Sequence, residues 1–369
     1  MKYIGRKDYN HDSVEKVGLL VTNLGTPQAP TSSALRKYLA EFLWDPRVVE
    51  YPRLLWWLIL HLIILRIRPR FSAKAYAKIW MEEGSPLMVH TKALVTAIKN
   101  KFARQQLAHI EVEFAMRYGQ PSIESVLYEL HKRNVTKLVV LPLYPQYSGS
   151  TTGSTFDVVA KVFEQLRWVP ELRFVQHYAD DENYISACAQ QIKQYWAEYS
   201  QSEKLIFSFH GLPKRFLTEG DPYHCQCHTT ARLIAEKLEL NDQQWQLTFQ
   251  SRFGREEWLK PYTDKTLESL AKKGTTSVDV FCPGFSADCV ETLEEIDMLN
   301  RDVFMRAGGK QFQYIPALNA EEVHVEAITQ LAIQNMLGWE QIKAGYNEEM
   351  RRQEKVQSQQ RAKSLGAEK

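Results

Sequence analysis

At about 150 residues per domain, a chain of 369 residues has room for two domains or three. Hydrophobic residues at 44% and charged residues at 24% exclude intrinsic disorder and fibrous repeats for the bulk of the chain. A balance of 46 Lys and Arg against 44 Asp and Glu leaves +2, without the basic excess of a dedicated nucleic-acid binder.

In chain order, residues 1–16 are polar and mixed in charge, with no apolar core of a signal peptide, and read as an N-terminal extension. An apolar run predicts a strand at Val17–Asn23 and a helix follows at Ser32–Phe42. The strongest apolar segment, Leu54–Leu65, is broken only by His61 and falls short of the roughly 18–20 residues of a spanning helix. Arg53 precedes it, Arg66, Arg68 and Arg70 follow, and Trp56 and Trp57 lie inside. Basic flanks with tryptophan suit a lip (54–70) at a membrane surface or a greasy pocket mouth. A buried core helix is the alternative.

Helices at Ser72–Trp80 and Leu87–Gln106 lead to a strand at Glu111–Met116. A helix at Ser122–Lys132 then leads to a strand at Lys137–Leu141. Beyond residue 170, strands at Leu172–His177, Lys204–Phe209, Gln246–Gln250 and Ser277–Phe281 alternate with helices at Asp181–Tyr199, Thr229–Leu238 and Leu259–Lys272. This order predicts an α/β fold with parallel sheets. The polar stretch 338–369 reads as a frayed helix or a disordered tail.

An internal repeat divides the chain into units at 17–170 and 171–337. Leu24-Gly25-Thr26-Pro27 ends the first strand, and His210-Gly211-Leu212-Pro213 ends a later one. Arg117-Tyr118-Gly119 matches Arg252-Phe253-Gly254, and Val140-Leu141-Pro142 matches Phe281-Cys282-Pro283, in the same order. The repeat is informative where it differs, because His210 stands where the first half has Leu24. Ligands of open α/β sheets bind beyond the carboxyl ends of the strands, which makes this imidazole a functional candidate.

Downstream of Pro283-Gly284, the acids Asp288, Glu291 and Glu295 fall at i, i+3 and i+7, one face of an α-helix. Such a stack is either a solvated acidic face or one that binds cations or accepts protons. Tyr144–Thr155 is rich in Gly and hydroxyls, and suits either an anion-holding loop or a helix cap. It lacks the Gly-Lys-Ser/Thr of a P-loop, so nucleotide binding has little support. His224-Cys225-Gln226-Cys227-His228 has the donors of a metal cluster without its spacing, and reads better as the start of the following helix. Five cysteines (Cys188, Cys225, Cys227, Cys282, Cys289) make no disulfide scaffold and fit a reducing cytoplasm.

From about Val17 to Leu331 the sequence resembles the ferrochelatases, which insert ferrous iron into protoporphyrin IX to make haem. The likeness rests on Gly25-Thr26-Pro27, Gly84-Ser85-Pro86-Leu87, Tyr144-Pro145-Gln146-Tyr147-Ser148 and Phe207-Ser208-Phe209-His210-Gly211-Leu212-Pro213. It continues through Gly220-Asp221-Pro222-Tyr223, Gln250-Ser251-Arg252-Phe253-Gly254, Trp258-Leu259-Lys260-Pro261 and Glu291-Thr292-Leu293 with Glu295. The resemblance implies two similar Rossmann-like domains facing across a cleft, and ATP-independent metal insertion with release of two protons. It implies His210 and Glu291 as catalytic, metal-handling residues, with Glu295 and Asp288 on a secondary metal or proton path. Leu24, Arg68, Arg117, Tyr118, Tyr147, Ser148 and Trp258 are its implied porphyrin contacts.

Some relatives hold a [2Fe–2S] cluster through C-terminal cysteines and one beside the Tyr-Pro-Gln-Tyr-Ser block. Here that position is Gly149 and no cysteine follows Cys289, so a bacterial type without a cluster is expected. Cys289 also stands where many relatives have histidine. The expected cofactor set is therefore none permanently bound, with Fe²⁺ and protoporphyrin IX as substrates. The expected setting is the cytoplasm, with peripheral contact at the inner face of the cytoplasmic membrane and transient contact with the preceding haem-pathway enzyme. The rival readings are a coproporphyrin-type ferrochelatase, another tetrapyrrole metal chelatase, and a non-catalytic porphyrin or haem carrier.

Overall fold

β1 (Lys16–Gly25) is apolar on both faces and buried along nearly its whole length, as the centre of a parallel sheet requires. In the computed structural model, which describes residues 3–6, 9–254, 256–343 and 345–367, it pairs on both sides. β2 (Glu111–Tyr118) lies on one side and β3 (Val135–Pro142) on the other, with β4 (Glu171–Phe174) beyond β3. A second sheet is built from β5 (Lys204–His210), β6 (Trp245–Gln250), β7 (Ser277–Phe281) and β8 (Gln311–Ile315), in the order β6-β5-β7-β8. All pairings between these strands are parallel, and the two sheets have the same strand order.

The repeat extends to the loops. Pro121 accepts the Met116 N–H at 2.7 Å after β2, and Pro261 accepts the Phe249 N–H at 2.8 Å near the end of β6. The seven strands expected from sequence are all present. β8 was not anticipated, because Gln311 and Gln313 interrupt its apolar run, while Phe312 and Tyr314 carry the buried face.

One apolar core joins the halves. Leu19 and Val21 of β1 share a buried cluster with Phe207 and Phe209 of β5 and with Ile328 and Ala332. The last two belong to the helix Glu322–Met336, which packs against the helix Pro86–Arg104 and against β3 of the first half. Ser85 caps Pro86–Arg104 by accepting the Met88 N–H, and Pro86 sits in the first turn, where no N–H is needed.

Three local expectations change. The helix expected from Thr229 begins at Tyr223 and runs to Lys237, so the His224–His228 cluster is one helical turn. The apolar segment forms a helix (Arg53–Ile59) that passes through a π turn (Leu60–Ile64) into Leu65–Ile79. Leu54 is 81% exposed, and Trp57, Leu62, Ile63 and Phe71 are exposed with it, which rules out the buried core helix. Among the described residues no helix is long and apolar enough to cross a membrane. Within the polar tail, Glu348–Ser364 is a helix with no buried residue, held to the body by Lys355–Glu15 at 2.9 Å and Gln359–Asn10 at 2.7 Å.

Candidate active site

The strand ends of both halves open on one cavity of about 540 Å³, within the range of small-molecule sites. Leu24 ends β1 on one side, and His210 ends β5 on the other. These are the two repeat-related positions, so the duplication itself brings them to a common cleft. Arg68, Tyr76 and Ser148 from the first half, and Trp258, Phe285, Glu291 and Glu295 from the second, complete much of the lining. The Arg68 guanidinium lies 5.3 Å from the Phe253 ring, across the mouth from the lip.

His210 is oriented by its own strand end. Its Nδ1 lies 2.6 Å from the Gly211 carbonyl oxygen, which can only accept. The proton therefore sits on Nδ1, and neutral imidazole keeps its lone pair on Nε2. Tyr223 donates to the His210 main-chain oxygen at 3.0 Å and fixes the backbone from the neighbouring helix.

The acidic segment does not form the α-helical face that its spacing predicts. Glu291–Asn300 is wound as a π-helix, with i→i+5 hydrogen bonding that widens each turn. Glu291 and Glu295 then face the cavity together, whereas Asp288 precedes the helix and turns inward. Asp288 is only 4% exposed. Its carboxylate accepts Tyr314 Oη–H at 2.5 Å, Asn319 Nδ2–H at 2.7 Å and Thr292 Oγ1–H at 3.0 Å. Asp288 is thus a structural acceptor and no part of the cavity wall.

Burial raises the Glu295 carboxyl above its ordinary pKa, and the Glu291 charge adds to this. Hydrogen bonds from the Ser251 hydroxyl and N–H, joined by the charge of the nearby His210 ring when it is protonated, oppose the rise without cancelling it. Glu294 pairs with Lys78 at 2.7 Å and links the π-helix to the end of the lip helix. Cys289 lines the cavity as a buried thiol, its pKa raised by burial and then by Glu291.

Three expected porphyrin contacts are not among the residues that line the cavity. Arg117 and Tyr118 both bind Asp45, the guanidinium through an ion pair and the phenol at 2.8 Å. Arg117 Nε also donates to Ser154 Oγ at 2.6 Å. Burial alone would raise the Asp45 carboxyl, but hydrogen bonds from Ser154 and the Arg47 N–H, with the Arg117 charge, leave it lowered. A buried carboxylate needs such partners, and this one consumes both residues. Tyr147 donates its main-chain N–H to Gln226 Oε1 at 2.7 Å, clasping the two halves together.

Sequence reasoning missed Tyr76, Ser251 and Phe285 as lining residues. Tyr76 lies in an ordinary helical stretch with no local signal, and only the tertiary fold brings it to the cavity. Tyr144 and Trp258 also line the cavity, while their polar atoms, Tyr144 Oη and Trp258 Nε1, are buried away from it with no hydrogen-bond partner among the described residues. Among the described residues no group of three or more His, Cys, Asp or Glu side chains is arranged to hold a metal ion. The His224 and His228 rings stand 4.5 Å apart without a third donor among the described residues.

Comparison with known proteins agrees with this architecture. The chelatase SirB from Bacillus subtilis, solved with Fe³⁺, superposes with a TM-score of 0.52 at 11% identity, covering 87% of this chain and 96% of that one. That likeness concerns the fold. The ferrochelatase of Marinobacter nauticus is 57% identical, over 92% of each chain. The ferrochelatase of Thioalkalivibrio sulfidiphilus is 53% identical over the full length of both. A family model described as Ferrochelatase matches residues 16–336. The chain belongs to the ferrochelatase family, the metal chelatases that insert iron into porphyrin in haem biosynthesis.

Proposed function

We infer that this chain inserts ferrous iron into protoporphyrin IX, releasing two protons, as the terminal step of haem biosynthesis. The observation that carries the reading is the meeting of His210 with Glu291 and Glu295 in one cavity lined by both halves. Insertion must remove two pyrrole protons and strip water from the metal. An imidazole with a free Nε2 accepts a proton or ligates Fe²⁺, one at a time. Glu291 and Glu295 supply the complementary carboxylates, and the raised Glu295 pKa favours brief protonation. Iron is cargo here, and a partial donor set suits a metal that is handed on to four pyrrole nitrogens.

Leu24, Phe285 and Trp258 offer apolar and aromatic surface to a flat macrocycle, while the Arg68 guanidinium suits its carboxylates; Ser148, also in the lining, already gives its hydroxyl to Asp221 at 3.1 Å. Arg117 and Tyr118, both held on Asp45, act as supports of the pocket and not as contacts in its lining. No permanently bound cofactor is required by this chemistry, and Gly149 with the absence of cysteine after Cys289 favours a cluster-free enzyme. The exposed apolar lip with Arg66 and Arg70 favours peripheral contact with the cytoplasmic membrane surface. A hydrophobic porphyrin would then pass at that surface from the preceding enzyme.

Anaerobic incubation of the purified protein with Fe²⁺ and either protoporphyrin IX or coproporphyrin III, followed by the visible bands, tests the reading. Turnover with protoporphyrin is the expected result. Preference for coproporphyrin would reassign the substrate, and stoichiometric binding without insertion would leave a carrier.

A further inference from the structure

The carboxyl end of β6 ties the two reacting sides of the cavity together. Gln250 lies in register with His210, and its carbonyl accepts the Gly211 N–H at 2.8 Å. A Cβ on Gly211 would stand 2.6 Å from that oxygen, so only glycine allows the approach. The Gln250 side chain, 3% exposed, reaches the other way. Its Nε2 donates to the Glu291 main-chain oxygen at 2.7 Å, and its Oε1 accepts from Ser208 Oγ at 2.7 Å. Ser208 continues to Thr263 at 3.0 Å, and Thr263 to Thr248 at 2.9 Å, all within the buried interior. This hydroxyl chain leaves the amide one orientation. Ser251 follows with φ +64°, a conformation kept only where the surroundings over-determine it, and gives both its N–H and its hydroxyl to the Glu295 carboxylate.

We propose that Gln250 is a positioning residue for metal handling, fixing the first turn of the acidic π-helix against His210, with Ser251 as its second point of attachment. The proposal rests on the reading that His210 and Glu291 exchange metal and protons. Gln250 stands outside the cavity lining and acts through Glu291. Displacement by about 1 Å is enough to cost on the order of 10²-fold in rate for groups that must meet in one geometry.

The test compares Gln250→Met and Ser251→Ala with the wild type in the full-length protein. Anaerobic calorimetry measures Fe²⁺ binding without porphyrin, and steady-state assays vary Fe²⁺ and protoporphyrin separately. The expected result is a roughly tenfold or greater rise in the Fe²⁺ dissociation constant and KM for Gln250→Met. Ser251→Ala moves Fe²⁺ affinity the same way by less, and Gln250→Met, outside the lining, keeps porphyrin KM and affinity within about twofold of wild type. Unchanged Fe²⁺ affinity, or losses that merely follow the folded fraction, would overturn the proposal. Should Gln250→Met fail to fold, Ser251→Ala carries the same comparison, since its main-chain N–H remains. A wild type that binds Fe²⁺ but inserts none would refute the functional reading, while the affinity comparison still decides this one.

Discussion

Asp288 accepts the Tyr314 hydroxyl at 2.5 Å, beneath the acidic turn to which its sequence spacing assigns it. The pair anchors β8 to the start of the π-helix, with Asn319 and Thr292 completing the acceptor's partners. Removing the carboxylate strands these buried donors. Asp288→Ala is expected to destabilise the fold by on the order of 2–4 kcal/mol, read from denaturant midpoints. The KM for Fe²⁺ in the folded fraction should stay within twofold. A large rise in that KM at unchanged stability would return Asp288 to the metal path.

His210 and Glu291 are expected to behave in the opposite way. Both open on the cavity, and neither fills the core. His210→Ala and Glu291→Gln should each lower kcat by roughly 10²–10⁴-fold, the range of a lost acid–base group. Porphyrin affinity, measured by fluorescence quenching, should change less than threefold. Near-normal turnover by His210→Ala would end its catalytic assignment.

These contrasts show what the sequence made legible. Duplication could be read from strand ends, because a parallel strand closes with Gly or Pro wherever the chain must turn. That placed His210 opposite Leu24 and so at the cleft. Winding was not legible. The spacing of Asp288, Glu291 and Glu295 describes one face of an α-helix, whereas the π-helix begins only at Glu291 and leaves Asp288 in the preceding loop, held by Tyr314 and Asn319. The setting of Arg117 and Tyr118 is hidden for a related reason: their partner Asp45 lies 72 and 73 residues away in sequence, and local pattern carries no trace of it. Edge strand β8 went unseen because an edge needs only one apolar face.

The exposed lip leads to a surface prediction. Leu54, Leu62 and Ile63 do not support the core, so their replacement should leave the thermal midpoint within about 2 °C. Each large aliphatic side chain entering a bilayer interface contributes roughly 1.5–3 kcal/mol. The triple change Leu54→Ser, Leu62→Ser, Ile63→Ser should therefore weaken binding to anionic vesicles by more than tenfold in a flotation assay. Equal flotation of variant and parent would remove the membrane role from the lip.

His324 gives the stability a pH dependence that can be signed. Burial lowers its pKa to about 4, against a partial rise from the hydrogen bond between Nδ1 and the Asn319 carbonyl. Nε2 is buried with no partner among the described residues, so a second proton has nowhere to bond. The folded state therefore keeps this imidazole neutral while the unfolded chain, near 6.5, takes up a proton. Between those two values the unfolded state binds more protons, and stability falls as the pH falls. At about 1.4 kcal/mol per pH unit, the loss approaches roughly 3 kcal/mol across the window. Asn319 also holds Asp288, so the loosened contact lies next to the acidic turn. His324→Asn should flatten the slope of unfolding free energy between pH 6.5 and 4, measured by denaturant titration at each pH. A slope unchanged by the substitution would assign the acid sensitivity to other groups.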